Sequence, residues 1–319
     1  RGGSGQDGHE GKPQILTVRL ERAPHSGLCT AARCTRVPGV TLPLHPFLPP
    51  LFPSPVGPAA VRDHGAEQAP ALLLAAGRGE RMRPLTDTTP KPLLPVHGQP
   101  LLAWHLQALA RAGVPRVVIN TAWLGEQIGQ YFGRFFGLQR NTGKYKQLSI
   151  LYSNEGRDFG GALETAGGIA RALPLLDADV FWLAAGDVFM PGFAFDAAAV
   201  RAFRQSGALA RLWLVPNPPQ HPRGDFGLSE SGLALNLQEA DPQPRYTYST
   251  VALLHRDLFA PPWCDIAPGN PQGVRAALAP LLRRAMDNGR VQAELHTGRW
   301  VDVGTPQRLA DLNAETFSP

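Results

Sequence analysis

From residue 71 onward, short apolar runs alternate with longer stretches in which apolar residues recur every three or four positions. Short apolar runs bounded by turn formers read as buried strands, and three-to-four spacing reads as a helix with one face turned inward. The pattern predicts strands over 71–75, 116–120, 148–152 and 180–185. It predicts helices over 100–112, where Gly113 supplies the stop, over 123–132 and over 165–173. Repeated strand, helix, strand order builds a largely parallel sheet covered on both faces. In such sheets ligands bind beyond the carboxyl ends of the strands, so chemistry is expected where the first strand ends and where 180–185 ends.

The stretch before residue 70 has a different character. Pro43, Pro46, Pro49, Pro50, Pro53, Pro55 and Pro58 are separated mainly by Leu, Phe and Gly. That spacing forbids a helix and removes donors from any sheet. Residues 1–69 are therefore expected to be a disordered or loosely extended Pro/Gly-rich segment, without the charged, apolar and small-residue order of a secretory signal. One domain is expected over 70–316, and the Pro-rich stretch 217–225 is read as a loop beside the site.

Composition narrows the partners. A formal charge of +5, with basic residues scattered rather than massed, favours anionic small molecules over a nucleic-acid stripe. No run approaches the roughly 18 apolar residues of a bilayer span, so no membrane partner is expected. Of three cysteines, Cys29 and Cys34 lie in the extension and Cys264 stands alone. Three thiols make no disulfide framework, which suits a reducing cytoplasm, and Cys29, Cys34 and His25 lack the fourth ligand of a zinc site.

The segment after the first strand carries the chemistry. Leu74-Ala75-Ala76-Gly77-Arg78-Gly79-Glu80-Arg81-Met82-Arg83-Pro84-Leu85-Thr86 is followed by Pro90-Lys91-Pro92. Gly77 and Gly79 are read as positions that take φ > 0 and bring bare N–H groups against phosphate oxygens. Arg78, Arg81, Arg83 and Lys91 can add charge-assisted hydrogen bonds. A dinucleotide fingerprint would need a third glycine where Met82 stands, and no Gly-Lys-Ser/Thr follows to make a Walker loop.

Two carboxylates complete the set. Asp187 closes the apolar run Phe181-Trp182-Leu183-Ala184-Ala185-Gly186, and Asp302 sits in Trp300-Val301-Asp302-Val303-Gly304-Thr305. Magnesium is held by one or two carboxylates, with waters and substrate phosphates filling its octahedron. Two aspartates delivered from separate strand ends meet that demand.

These stretches resemble the sugar-phosphate nucleotidyltransferases, whose Leu-Ala-Ala-Gly-x-Gly-x-Arg-Met-x-Pro-Leu-Thr and Pro-Lys-Pro motifs are met at 74–86 and 90–92. Within that family the chain most resembles the N-acetylmuramate α-1-phosphate uridylyltransferases of peptidoglycan recycling. The supporting stretches are 118–124, 163–169, 221–226 and 300–305. The resemblance implies a Rossmann-like three-layer αβα sandwich with a mostly parallel mixed sheet. It implies nucleotide binding by Ala76, Gly77, Gly79, Glu80, Arg81, Asn120, Glu155, Gly167 and Gly168. It implies sugar contacts from Lys91, Ala185 and Asp225, Mg²⁺ on Asp187 and Asp302, and catalysis by Arg81, Lys91 and Asp187. The partners implied are a nucleoside triphosphate and a sugar 1-phosphate, met by a cytoplasmic monomer or small homo-oligomer.

Departures concern the sugar. Ala185 stands where the resembling enzymes commonly carry Asn, Tyr248-Ser249-Thr250-Val251 replaces a Phe-Ser-Gly-Ile pattern, and extra residues appear around 157–162. Mannose 1-phosphate guanylyl transfer and uridylyl or thymidylyl transfer to glucose 1-phosphate remain as rival enzyme readings. A non-catalytic regulatory homologue remains as a reading of another class. His105 and Trp104 are expected to pack rather than to react.

Overall fold

The computed structural model describes residues 67–139 and 145–317. The extension up to residue 66, with His25, Cys29 and Cys34, lies outside the described residues.

Ten strands form one mixed sheet. At its centre β1 (Ala71–Ala75) lies between β4 (Arg116–Thr121) and β7 (Val180–Ala185), parallel to both. β6 (Tyr145–Asn154) runs parallel beside β4, and β5 (Phe135–Gln139) closes that edge antiparallel. On the other side β12 (Arg245–His255) is antiparallel to β7 and to β9 (Ala210–Val215), and β13 (Val291–Leu295) is parallel to β9. The first residues of β12 also pair with β10 (Phe226–Leu228), which carries β11 (Ala234–Leu235). Two ribbons stand apart from the sheet: β2 (Pro95–Val96) with β3 (Gln99–Pro100), and β8 (Val188–Phe189) with β14 (Val301–Asp302).

Apolar residues on both faces of the central strands make this a three-layer structure. Leu73 and Trp182 point into one core and Leu72 and Leu183 into the other, the alternation a strand imposes. The first core is covered by α1 (Leu101–Ala112), α2 (Gly125–Phe132) and α5 (Ala197–Ser206), through Leu106, Ile128 and Phe203. The second is covered by α4 (Glu164–Leu176) and α6 (Ala279–Asp287), through Ile169 and Leu282. This is the α/β, Rossmann-like sandwich with a mostly parallel mixed sheet expected from the sequence. Among the described residues no helix is long and apolar enough to cross a membrane.

Local chemistry sets the element ends. α1 stops because Gly113 takes φ +85°, which lets its N–H and that of Val114 return to the carbonyls of Ala110 and Leu109 at 3.2 and 3.1 Å. α2 begins at Gly125 rather than 123, since Leu124 sits in the left-handed region at φ +49°. The extra residues around 157–162 fold in part as the short helix α3 (Glu155–Phe159).

The expected boundary of the extension needs correction. Gln68 and Ala69 are buried. The Gln68 amide donates to the Phe195 carbonyl at 2.8 Å, and its oxygen accepts from the Trp182 indole N–H at 3.1 Å. A buried indole N–H needs such a partner, so Gln68 belongs to the domain.

Candidate active site

A cleft of about 730 Å³ opens at the carboxyl ends of β1, β4 and β7. One wall is the loop that leaves β1, with Ala76, Gly77, Gly79, Glu80 and Arg81 facing the space and Lys91 beside them. The loop is pinned from below. Met82, where a dinucleotide fingerprint would have glycine, is fully buried in a third apolar cluster with Leu94, Trp104, Phe189 and Leu309, the last on α7 (Pro306–Ala314). Burying such a side chain stabilises by about 1.5–3 kcal/mol.

The two glycines of the loop do different things. Gly79 takes φ +67°, and a Cβ there would meet the Thr86 methyl carbon at 3.0 Å. Gly77 does not have positive φ, contrary to expectation, and a Cβ on it would meet nothing within 4 Å. Its missing side chain leaves the backbone open to the cleft.

The basic residues also divide. Arg78 lies over the Trp123 ring, 3.4 Å from its centroid, and donates to the Thr86 carbonyl at 3.1 Å. Arg83 pairs with Asp87 at 2.8 Å. Neither lines the cleft, so their expected role as direct phosphate ligands is corrected to bracing the loop. Arg81 and Lys91 do line it. Lys91 is buried to 7% exposure, and its Nζ donates to Oδ2 of Asp187 at 2.7 Å.

Asp187 follows β7 across Gly186, whose N–H donates to the Leu74 carbonyl at 2.8 Å. A Cβ at Gly186 would stand 2.8 Å from that carbonyl oxygen, so only glycine lets the turn close on β1. His105 of α1 supports the same turn, its Nε2–H donating to the Val188 carbonyl at 2.8 Å. Burial pushes the imidazole below its ordinary pKa, so it works there as a neutral donor.

The floor is a hydrogen-bonded relay. Asn120 accepts from the Ala75 N–H at 2.7 Å and donates to Oε1 of Glu155 at 2.7 Å, and Glu155 Oε2 accepts from the Leu163 N–H at 2.8 Å. Burial raises the Glu155 pKa, against the lowering pull of the Leu163 N–H, the Asn120 amide and Arg171.

The facing wall is built from Asp225, Phe226, Tyr248 and Thr250, with Leu278, Leu282 and Arg283 at the start of α6. Asp225 accepts from the Tyr248 N–H at 2.8 Å and pairs with His221 at 3.1 Å. Burial, with the Asp225 charge adding to it, pushes the Tyr248 phenol well up, so it stays protonated. Thr250 sits at φ +66°, where β12 shifts register against β9 between Tyr248 and Ala252. The corner is tied down through Ser249, whose carbonyl accepts from the Thr250 hydroxyl at 2.5 Å and from the Trp300 indole at 3.0 Å.

A family model described as nucleotidyl transferase matches residues 70–318. The chain belongs to that family. This nucleotidyl transferase is 44% identical over 249 residues to the N-acetylmuramate α-1-phosphate uridylyltransferase of Neisseria meningitidis serogroup B, covering 76% of the chain and 96% of the relative. It is 32% identical over 255 residues to the enzyme of the same name from Caulobacter vibrioides, covering 78% and 97%. A solved Bacillus anthracis structure described as a glucose-1-phosphate thymidylyltransferase, in complex with sucrose, shares the fold. Its TM-score is 0.60 at 18% identity, covering 79% of this chain and 98% of that one.

Of the residues expected at the site, the nucleotidyl transferase brings Ala76, Gly77, Gly79, Glu80, Arg81, Lys91, Asn120, Ala185, Asp187 and Asp225 to the cleft. Glu155, Gly167, Gly168 and Asp302 do not line it. Glu155 is fully buried and stands behind Asn120. A Cβ on Gly168 would lie 2.6 Å from Glu155 Oε1, and one on Gly167 would lie 2.4 Å from the Val274 carbonyl oxygen. The glycine pair therefore provides close packing for the relay and for the 274–276 strap. Thr165, Tyr248, Leu278 and Arg283 line the cleft without having been singled out for it. Thr165 and Tyr248 lie within stretches noted for the family resemblance, whereas Leu278 and Arg283, before and within α6, have no local motif to mark them.

Nucleotidyl transferases generally use a divalent metal. The Val303 N–H donates to the Asp187 carbonyl at 3.1 Å and Asp302 pairs with Val188 across the β8–β14 ribbon, so both aspartates belong to one small unit. The Asp187 side chain is 45% exposed, and Oδ2 of Asp302 is held by Arg308 at 2.7 Å. A Cβ on Gly304 would lie 2.4 Å from Arg308 Nη2 and 3.0 Å from that Oδ2, so glycine makes room for the Asp302–Arg308 pair. Asp187 and Asp302 carry the hard carboxylate oxygens that magnesium takes. Among the described residues no group of three or more His, Cys, Asp or Glu is set to hold a metal.

Proposed function

We propose that this chain transfers a uridylyl group from UTP to N-acetylmuramic acid α-1-phosphate, releasing pyrophosphate and forming the UDP sugar. The observation that carries the reading is the 44% identity across nearly the whole Neisseria meningitidis relative, with Asp187 joined to Lys91 at the cleft.

In this reading an oxygen of the sugar phosphate attacks the α-phosphorus in line, the bond to the bridging oxygen breaks, and pyrophosphate leaves with the electron pair. A phosphate monoester, with a second pKa of about 6, is already ionised at neutral pH, so no side chain need act as base. The protein's task is to hold two mutually repelling anions and to offset the charge that develops. Gly77 and Gly79 offer backbone N–H groups to the triphosphate, Arg81 meets its outer oxygens, and Lys91 stands between nucleotide and sugar phosphates. Asp187 and Asp302 would hold Mg²⁺, which supplies Lewis-acid stabilisation of the phosphoryl oxygens when bound. Asn120, backed by Glu155, Gly167 and Gly168, shapes the nucleotide side, while Asp225 and Ala185 shape the sugar side. In this reading the protein works in the cytoplasm as a monomer or small homo-oligomer, on a nucleoside triphosphate and a sugar phosphate, with no role for nucleic acid or membrane.

Pyrophosphate release with Mg²⁺ tests the reading, offering UTP, GTP, dTTP and CTP against N-acetylmuramic acid, mannose and glucose 1-phosphates. Turnover concentrated on UTP with the muramic acceptor is the expected outcome. A preference for GTP with mannose or for dTTP with glucose would overturn the choice of substrates, and silence across the grid would favour a regulatory protein.

A further inference from the structure

N-acetylmuramic acid differs from N-acetylglucosamine by a lactyl ether whose carboxylate is ionised at neutral pH. Resting on the acceptor proposed above, the cleft must therefore meet a second anion at some distance from the phosphates. Its lysine and arginine lining consists of Arg81, Lys91 and Arg283. Arg81 belongs to the phosphate loop and Lys91 is bonded to Asp187. Arg283 stands on the facing wall with Asp225 and Phe226.

The Arg283 guanidinium is held in place by neutral groups. Its Nη1 donates to the Asn236 side-chain oxygen at 2.6 Å, and its Cζ lies 5.2 Å from the Phe226 ring centroid. Among the described residues it makes no ion pair, while nearby Arg223 pairs with Glu239 at 3.1 Å. Arg283 also borders a second recess of about 510 Å³ lined by Arg223, Arg245 and Glu239, where Glu239 offsets one arginine and Arg283 and Arg245 add positive charge. A half-buried arginine, positioned by an amide and an aromatic face, keeps N–H groups for the planar two-point recognition of a carboxylate.

We infer that Arg283 binds the lactyl carboxylate of the acceptor and sets the preference for N-acetylmuramic acid over N-acetylglucosamine 1-phosphate. The test is the ratio of kcat/KM for these two acceptors at saturating UTP, in the wild type, Arg283→Met, Arg283→Lys and the neighbouring Arg284→Ala. Arg283→Met should lower the ratio about 10- to 100-fold, the scale of one charged hydrogen-bonded contact, chiefly through KM for the muramic acceptor. Arg283→Lys should recover part of it, and Arg284→Ala should leave it in place. An Arg283→Met protein that melts like the wild type yet keeps the ratio would overturn the assignment, as would an equal fall for both acceptors. Failure of the acceptor reading is seen separately, as a wild type that does not use the muramic acceptor at all.

Discussion

The two walls of the cleft are made in different ways. The wall proposed to meet phosphate is nearly one continuous run, drawn from residues 76–91, and presents loop backbone, Arg81 and Lys91 to the cleft. The facing wall gathers Asp225 and Phe226, Tyr248 and Thr250, and the start of α6, segments brought together only by the sheet and the helix packed on it. The first offers what every nucleoside triphosphate shares, and its geometry can be written into a short motif. The second, in the proposed reaction, would tell one sugar from another, and its geometry depends on packing across more than fifty residues of chain. Chemistry is thus local and choice is distributed.

The sharpest way to break this division is at Asp187. Asp187→Asn removes the charge that Lys91 meets, and should lower kcat by about 10²–10³-fold for every acceptor alike. A loss confined to one acceptor would mean that the two walls do not divide the work as described. Asn120→Ala attacks the floor on the nucleotide side. It strands the Ala75 N–H and the Glu155 carboxylate, each an unsatisfied buried group costing about 1–3 kcal/mol, so denaturant unfolding should show roughly 2–4 kcal/mol less stability.

A third test is read in pH. The folded pKa of Glu155 is raised above its ordinary 4.5, so between 4.5 and the raised value the folded state binds more protons than the unfolded state. Stability from this group is present below pH 4.5 and is lost as pH rises through the folded pKa. Glu155→Gln does not ionise, and should gain stability relative to the wild type as the pH rises above 4.5; a constant difference would show that the carboxylate does not titrate as its burial demands. The smallest effect is expected at Thr250. A β-branched residue in the left-handed region is strained by about 1–2 kcal/mol, partly offset on Thr250→Gly by glycine's greater chain entropy of about 0.5–1 kcal/mol. The variant should melt slightly higher while its acceptor preference shifts and KM for UTP holds. A lower melting temperature would show that the Ser249 contacts outweigh the strain.

Legibility in the sequence follows the same division. β1, β4 and β7, buried on both faces, announce themselves as apolar runs, and the Gly-Arg-Gly loop follows the first of them. Asp187 is visible because it directly follows such a run. The sequence does not distinguish arginines that brace from arginines that bind: Arg78 is drawn off by Trp123 and Thr86, and Arg83 by Asp87, partners that a count of charges does not reveal. Glu155, Gly167 and Gly168 carry the same ambiguity, since a residue one layer behind a ligand and a residue touching it leave the same letters. Arg283 has no local signal, lying between Leu282 and Ala285 on a helix whose apolar spacing speaks only of packing.

The register shift in β12 between Tyr248 and Ala252 has a bearing on how this protein could change over generations. Strand side chains alternate between faces, so adding or deleting one residue reverses the facing of everything on one side of the change. Confined to the shift, such an event would re-face the stretch before it, including Tyr248 at the cleft, while 252–254 kept their places in the core. A lineage could exchange one sugar for another there by a single-codon insertion or loss, leaving the phosphate machinery untouched.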